Sequence, residues 1–177
     1  AIRSAAPTVE ISGTIHVGEH NRVDYQGQNF IYYFLIDYVD PFVKRWVHTV
    51  MYYDLQGPAG GAYDHANFHE HRDFIRRKIA SNQQVAYFPE SAYWIAFDNS
   101  VPTFLPVYVE QRRRDMALLP GLKEHVLFSS GWEWGYWQTD ATTLRMGYEL
   151  PASTAAVYGE LFAPLGESGK RVAELLT

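Results

Sequence analysis

The sequence contains no cysteine, no excess of basic residues and no long apolar run, and each absence excludes a class of protein. Without cysteine, the chain forms no disulfide and uses no thiolate as a nucleophile or metal ligand. The formal net charge of −5 argues against non-specific binding to nucleic acid, because contacts to phosphate need a basic surface. The apolar stretch 30–39 is interrupted by Asp37 and is too short to span a membrane, so no membrane-spanning helix is expected.

Aromatic side chains are in excess, at 16% of the 177 residues. Such an excess is typical of a heavily packed core, of a carbohydrate or peptide groove, or of a large interface. Hydrophobic residues make up 47% of the chain and charged residues 20%, which is ordinary for a globular protein, and the length suits a single domain over residues 1–177. The cellular compartment stays open, with a secreted or periplasmic location slightly favoured over the cytoplasm.

A repeated order of apolar run, loop and helical stretch organises the chain. We predict four strands, at residues 9–17, 46–53, 84–88 and 125–128. The predicted helices lie at residues 28–39, 67–80, 104–119, 141–148, 153–162 and 168–176. Four β-α units imply parallel strands with helical crossovers. The expected fold class is therefore α/β, either half of a (β/α)8 barrel or an open doubly wound sheet. The basic runs 76–78 and 112–114 are expected on solvated helix faces.

The unusual polar residues follow the predicted strands. Glu19 and His20 come after the first strand, Asp54 after the second, Glu90 after the third, and residues 129–134 after the fourth. In both expected architectures, functional side chains collect at the carboxyl ends of the strands. We therefore predict a functional site at this edge of the sheet.

The stretch 128–140, with the sequence FSSGWEWGYWQTD, places three of the five tryptophans around Glu133. Burial against indole rings favours the protonated carboxyl that a general acid needs, and aromatic faces suit a sugar ring. Glycoside hydrolysis requires such an acid and an ionised base or nucleophile at the same bond. The candidate catalytic residues are Glu90, Glu133 and Asp54. The candidate substrate-binding residues are Tyr93, Trp94, Trp132, Trp134, Trp137, Glu19 and His20. The structural alternative is that the carboxylates hold loops and the tryptophans fill a core.

The histidines suggest a metal only by their spacing. His65 and His69 are four residues apart and would share one face of a helix. Residues 16–20 match the letters of the inverted zinc-peptidase motif, which requires a helix, whereas we predict a strand over residues 9–17 that Gly18 interrupts. We therefore predict no bound metal, and a metal-dependent hydrolase remains the third alternative.

The glycine-rich loop 56–62 offers no nucleotide site. It lacks the Lys-Ser/Thr of a phosphate-binding loop and does not match G-x-G-x-x-G. The serines of residues 128–131 do not form a G-x-S-x-G elbow. We predict no cofactor, and we expect loop 56–62 to be a mobile active-site loop.

Residues 87–94 (YFPESAYW) and 128–137 (FSSGWEWGYW) resemble the strand-end loops of barrel-type glycoside hydrolases. The resemblance implies that Glu90 and Glu133 are catalytic carboxylates and that Trp94, Trp132 and Trp134 are platforms for sugar rings. Such a barrel has eight strands, whereas this sequence predicts four. The resemblance therefore implies a fragment of a larger barrel, or a fold completed by a partner chain or a homo-oligomer. The competing hypothesis is a non-catalytic module that binds carbohydrate or protein.

Overall fold

The protein's structure, a computed structural model, describes residues 2–50, 53–90, 106–128 and 133–177, without the side chains of residues 2, 3 and 133–136. Within these residues the strands are β1 (Ser12–Ile15), β2 (Arg22–Tyr25), β3 (Gln28–Ile31), β4 (Lys44–Thr49), β5 (Val85–Pro89) and β6 (Glu124–His125). The helices are α1 (Ile2–Ala5), α2 (His69–Ala80), α3 (Pro106–Leu118), α4 (Glu133–Met146), α5 (Thr154–Phe162) and α6 (Gly166–Leu175). The described chain is therefore mixed α/β, as the sequence predicts.

One four-stranded sheet forms the centre of the fold, in the spatial order β1-β4-β5-β6. Every neighbouring pair in it is parallel, which confirms the predicted strand orientation. The spatial order follows the chain order, without the reversal that creates a switch point in a doubly wound sheet. Strands β2 and β3 form a separate antiparallel hairpin inserted between β1 and β4.

The predicted helix at residues 28–39 is wrong. This stretch forms β3 and then a 3-10 helix over Tyr32–Tyr38. The difference begins at Gln26 and Gly27, which both have positive φ and make the tight turn of the hairpin. Because this turn pairs residues 28–31 with β2, only the residues after Ile31 remain to cross over to β4.

Other boundaries shift without changing the topology. The second strand begins and ends earlier than predicted, as β4. The fourth is reduced to β6 and to an isolated parallel bridge between Glu90 and Phe128. Helix α4 begins at Glu133, eight residues before the predicted start, so residues 133–140 of the aromatic stretch are helical. The predicted helix at 153–162 is confirmed as α5, whose N-cap Ser153 accepts a hydrogen bond from the Ala156 amide at 3.2 Å.

Alternation along the strands separates the sheet into two faces. On one face, Ile15, Val47 and Tyr87 share the main hydrophobic core with Phe74 and Ile75 of α2. The opposite face carries the side chains at alternate positions, and we call five of them the aromatic row: His16, Trp46, His48, Phe88 and Phe128.

Helices α5 and α6 close the described chain in a second hydrophobic cluster. Val157, Tyr158 and Phe162 of α5 pack there with Val109 of α3 and Met146 of α4. This packing places the helices that follow the sheet against α3 and α4. None of the described helices is both long enough and apolar enough to cross a membrane.

Candidate active-site rim

The carboxyl ends of β1, β4 and β5 lie side by side because these strands are parallel neighbours. Glu19 and His20 follow β1, Asp54 follows β4, and Glu90 follows β5 directly. Glu133 is the first residue of α4, after β6. We call this edge the rim. The structure thus brings together the strand ends that the sequence marks with carboxylates.

Several predicted site residues lie wholly or partly outside the described residues. Tyr93, Trp94 and Trp132 lie outside the described residues. The backbone of Glu133 and Trp134 belongs to α4, but their side chains are also outside the description. Trp137 lies on α4, is 44% exposed, and its ring meets the edge of Phe162 at 6.0 Å between centroids. The ring of Trp137 therefore contacts helix α5.

Glu90 is nearly inaccessible, with 6% of its surface exposed. Its amide donates to the carbonyl oxygen of Thr49 at 3.1 Å, and the amide of Phe128 donates to the carbonyl oxygen of Pro89 at 3.2 Å. These bonds extend the sheet one residue beyond β5 and join Glu90 to the chain that leads into residues 129–132. The register of β5 puts Glu90 on the same face as Phe88.

Asp54 organises its own loop. Its Oδ1 accepts hydrogen bonds from the backbone amides of Gln56, at 2.9 Å, and of Gly57. A side chain that accepts from amides two and three residues ahead stabilises a turn. Asp54 therefore has a structural role in addition to its position on the rim.

Two buried side chains of α3 hold the backbone on both sides of Asp54. The guanidinium of Arg112 donates to the carbonyl oxygen of Tyr53, and Oδ1 of Asp115 accepts from the amide of Leu55 at 2.7 Å. Arg112 and Asp115 also form an ion pair of 3.1 Å. The sequence predicts a solvated Arg112, but Arg112 is completely buried because it lies on the face of α3 that packs against the sheet.

The hydroxyl of Tyr87 completes this network. It donates to Oδ2 of Asp115 at 2.6 Å and accepts from Arg112 at 2.6 Å. Burial raises the pKa of Tyr87 well above its usual range, so the phenol keeps its proton. Burial opposes the charge on Arg112, yet the neighbouring Asp115 and tyrosines raise the pKa of the guanidinium. A permanent cation therefore lies beneath the rim.

Asp54 and Glu90 each influence the pKa of a buried side chain of α3. Asp54 is among the groups that raise the pKa of Arg112. Burial raises the pKa of Tyr108, whose ring lies 4.8 Å from the Arg112 guanidinium carbon, and the charge of Glu90 contributes to that rise. The two rim carboxylates thus act on one buried group of side chains.

Glu19 and His20 are held by polar partners in the loop after β1. Arg22 donates to Glu19 at 2.6 Å, and His20 Nδ1 lies 3.0 Å from Oδ2 of Asp64. His65 is buried and its Nε2 accepts from the amide of Gly18 at 2.9 Å. Its proton is therefore on Nδ1, which lies 3.4 Å from Glu19.

His65 and His69 do not lie on one helix. Helix α2 begins at His69, and His65 precedes it in a loop. His69 Nε2 hydrogen-bonds the carbonyl oxygen of Gln56 at 2.8 Å instead. Among the described residues, no three His, Asp or Glu side chains are grouped so that they could hold a metal ion.

The aromatic row was not predicted. The ring centroids of His16 and His48 are 4.8 Å apart, those of His48 and Phe88 are 5.0 Å apart, and those of Phe88 and Phe128 are 6.0 Å apart. Trp46 meets the edge of Phe88 at 5.6 Å. The row runs from His16, directly after β1, across β4 and β5 to Phe128 after β6, and it reaches the rim beside Glu90. The signal for it is Trp46-Val47-His48, in which ring residues flank an aliphatic one, because such alternation indicates a strand with two chemically different faces.

Comparison of the chain with protein-family models, with curated proteins and with solved structures finds no match.

Proposed function

We propose that the protein is carbohydrate-active and resembles a glycoside hydrolase, with Glu90 and Glu133 as its acid/base carboxylate pair and Asp54 as a third rim carboxylate. The observation that carries this proposal is the parallel bridge between Glu90 and Phe128. This bridge joins the carboxylate after β5 to the chain that leads to Glu133. Glycoside hydrolysis needs two carboxylates that face the same bond.

The chain length between these residues supports the pairing. Five residues of extended chain span at most roughly 17 Å, so the backbone of Glu133 lies within that reach of Phe128. Carboxyl groups of glycosidases are roughly 5–9.5 Å apart. The connection therefore permits a catalytic separation.

The topology supports a half-barrel rather than a doubly wound sheet. Four parallel strands follow each other in chain order, as they do in a (β/α)8 barrel. In that architecture the active site lies at the carboxyl ends of the strands, where Asp54 and Glu90 are found. The aromatic row beside Glu90 offers apolar ring surface of the kind that packs against sugars.

A set of nitrophenyl glycosides tests the proposal. The wild-type protein is expected to release nitrophenol from at least one of them, and Glu90→Gln and Glu133→Gln are each expected to lower kcat by about 10²–10⁴-fold. Glu149→Gln is the matched control, because its carboxylate is 80% exposed and pairs only with Arg145 at 3.6 Å among the described residues. A folded protein that hydrolyses none of the glycosides, or variants with unchanged kcat, would overturn the hydrolase proposal.

The burial of Glu90 favours a second candidate, a non-catalytic module that binds carbohydrate. A carboxylate with 6% exposure is poorly placed to reach a substrate, and Oδ1 of Asp54 already binds its own loop. Binding to insoluble cellulose, xylan or chitin that survives Glu133→Gln, without hydrolysis, would support this candidate. Loss of binding in that variant favours the hydrolase. The described residues contain no metal-ligand cluster that would support metal-dependent hydrolysis.

A further inference from the structure

A buried histidine joins the loop that follows β1 to the loop that precedes α2. We call these two segments the β1 loop (residues 16–21) and the histidine loop (residues 60–65). The ring of His65 is 2% exposed, and its Nε2 accepts from the amide of Gly18 at 2.9 Å. Because a backbone amide only donates, this bond requires a ring nitrogen that carries no proton. The bond therefore exists only while His65 is neutral.

The backbone of the histidine loop is strained where it meets the β1 loop. Tyr63 and Asp64 have φ of 51° and 65°, in the left-handed region that residues other than glycine adopt at a cost in free energy. The carbonyl oxygen of Tyr63 accepts from the amide of Glu19 at 3.2 Å. The carboxylate of Asp64 lies 3.0 Å from Nδ1 of His20. Contacts between the two loops thus hold this conformation, and their loss favours a different one.

The charged and titratable groups around the His65 ring act in opposite directions. Glu19, which lies 3.4 Å from Nδ1, and Asp64 favour the protonated ring, whereas Arg22 on β2 opposes it. His71 on α2, whose ring centroid lies 5.4 Å away, carries no charge near neutral pH, because burial lowers its pKa to about 3. Burial has the largest effect on His65 as well and lowers the pKa of its ring. The closed arrangement of the loops therefore favours the neutral ring.

We propose that the bond between Gly18 and His65 is a pH-sensitive switch, which holds the β1 loop on the histidine loop at neutral pH and releases it in acid. Protonation puts an N–H group on Nε2, so that two donors face each other across the bond. The protonated ring keeps its contact with Glu19, but the amide of Gly18 is left buried without an acceptor. Release frees Glu19 and His20, so acid changes the rim at the end of β1. This inference does not depend on the proposed function.

Amide hydrogen exchange followed by NMR tests the switch. Because opening takes up one proton, the protection factor of the Gly18 amide, corrected for the intrinsic exchange rate, is expected to fall by up to about tenfold between pH 7.5 and 5.5. The amides of β4, a strand that is paired on both sides, report opening of the whole fold and are expected to stay better protected than Gly18. Protection of Gly18 that does not change with pH, or that equals the protection of β4, overturns the proposal.

Two variants assign the pH dependence to one ring. His65→Gln removes the titrating ring but keeps a neutral side chain whose amide oxygen can accept from Gly18, so the protection of Gly18 is expected to be equal at the two pH values. His20→Gln is the matched control, because His20 is an exposed histidine that also joins the two loops, and the pH dependence is expected to persist in it. A dependence that survives His65→Gln, or that is lost in His20→Gln, belongs to another group and overturns the proposal.

The nitrogen chemical shifts of the His65 ring in the wild-type protein give a result that needs no variant. At pH 7.5 the ring is expected to carry its proton on Nδ1 and none on Nε2, as the bond from Gly18 requires. Its pKa is expected to lie below about 6.5, the ordinary value for histidine. A proton on Nε2 at pH 7.5, or a pKa of His65 above that ordinary value, overturns the proposal.

Discussion

Arg112 and Asp115 lie one helical turn apart on α3 and form a completely buried ion pair of 3.1 Å. Together they bind the two backbone groups that flank Asp54: Arg112 binds the carbonyl of Tyr53, and Asp115 binds the amide of Leu55. The position of one rim carboxylate is thus set by a helix that lies more than fifty residues further along the chain. This relationship is the basis of the first prediction.

Arg112→Met is expected to lower the free energy of unfolding by about 3–5 kcal/mol, because it leaves the Asp115 carboxylate buried without its cation. Urea denaturation followed by circular dichroism measures the loss. Arg114→Met is the matched control on the same helix, since Arg114 is 63% exposed and pairs with Glu110 at 3.0 Å. It is expected to cost less than about 1 kcal/mol. Equal losses in the two variants would contradict a special role of the buried pair.

Stability is expected to fall as the pH drops below about 6.5, the ordinary pKa of histidine. Burial lowers the pKa of His48 to about 4, of His71 to about 3 and of His125 to about 4, and it also lowers the pKa of His65. Below pH 6.5 the unfolded chain binds protons that the folded chain does not, so acid favours unfolding. Each pH unit through this window costs on the order of 1.4 kcal/mol per fully buried histidine.

Urea titrations at several pH values between 7.5 and 5 check this sign, in a range where most carboxylates remain ionised. His71→Gln is expected to reduce the slope of unfolding free energy against pH, because it removes one titrating ring while its amide can still donate to the carbonyl of His16, as the ring does at 3.2 Å. The remaining slope comes from His48, His65 and His125. A stability that is flat or rises toward pH 5 would show that these histidines are accessible to protons in the folded state.

Two helical glycines are expected to respond to alanine in opposite directions. In α6, a Cβ on Gly169 would lie 1.9 Å from the carbonyl oxygen of Phe162, so Gly169→Ala forces the backbones of α5 and α6 apart. In α5, a Cβ on Gly159 meets no atom within 4 Å, so Gly159→Ala gains helix propensity worth roughly 0.5–1 kcal/mol. Thermal denaturation should show a lower Tm for the first and a higher Tm for the second. A stable Gly169→Ala protein would mean that the two helices pack less closely than described.

Asp54 provides a test of its two possible roles. Asp54→Asn keeps an oxygen that accepts from the amides of Gln56 and Gly57, whereas Asp54→Ala removes it. If the role of Asp54 is to hold the loop, Asp54→Asn keeps the wild-type rate of proteolysis within residues 56–61, and Asp54→Ala is cut faster. Hydrolysis of a glycoside that is lost in Asp54→Asn without faster proteolysis would instead assign the carboxylate a chemical role.

Local sequence patterns predict a large part of this fold. The runs of β-branched and aromatic residues predict the four parallel strands, and the helical spacing of residues 67–80 predicts α2 nearly to its ends. The turn at Gln26 and Gly27, where both residues have positive φ, was not predicted because a Gln-Gly pair is a weak turn signal. That single turn converts a predicted helix into β3 and a 3-10 helix.

The candidate site is predictable only in its position along the chain. Strand ends followed by Asp54 and Glu90 indicate the rim, but they do not show that Glu90 is buried or that Oδ1 of Asp54 is taken by its own loop. The run Arg112–Arg114 gives equal reason to expect all three arginines in solvent. Helical geometry separates them, because residues at 100° intervals cannot all face the same way.

The order of residues in this chain predicts the four strands of the central sheet and helices such as α2 and α5, since the propensity for these elements depends on neighbours within one or two turns. The tertiary structure alone decides which rings meet in the aromatic row and which charges are buried beneath the rim. His16, His48, Phe88 and Phe128 come from four separate segments, and no local pattern encodes their contact. Burial then determines the role of each side chain. Arg114 is a solvated surface group, whereas Arg112, the same residue type two positions earlier, is a permanent internal cation.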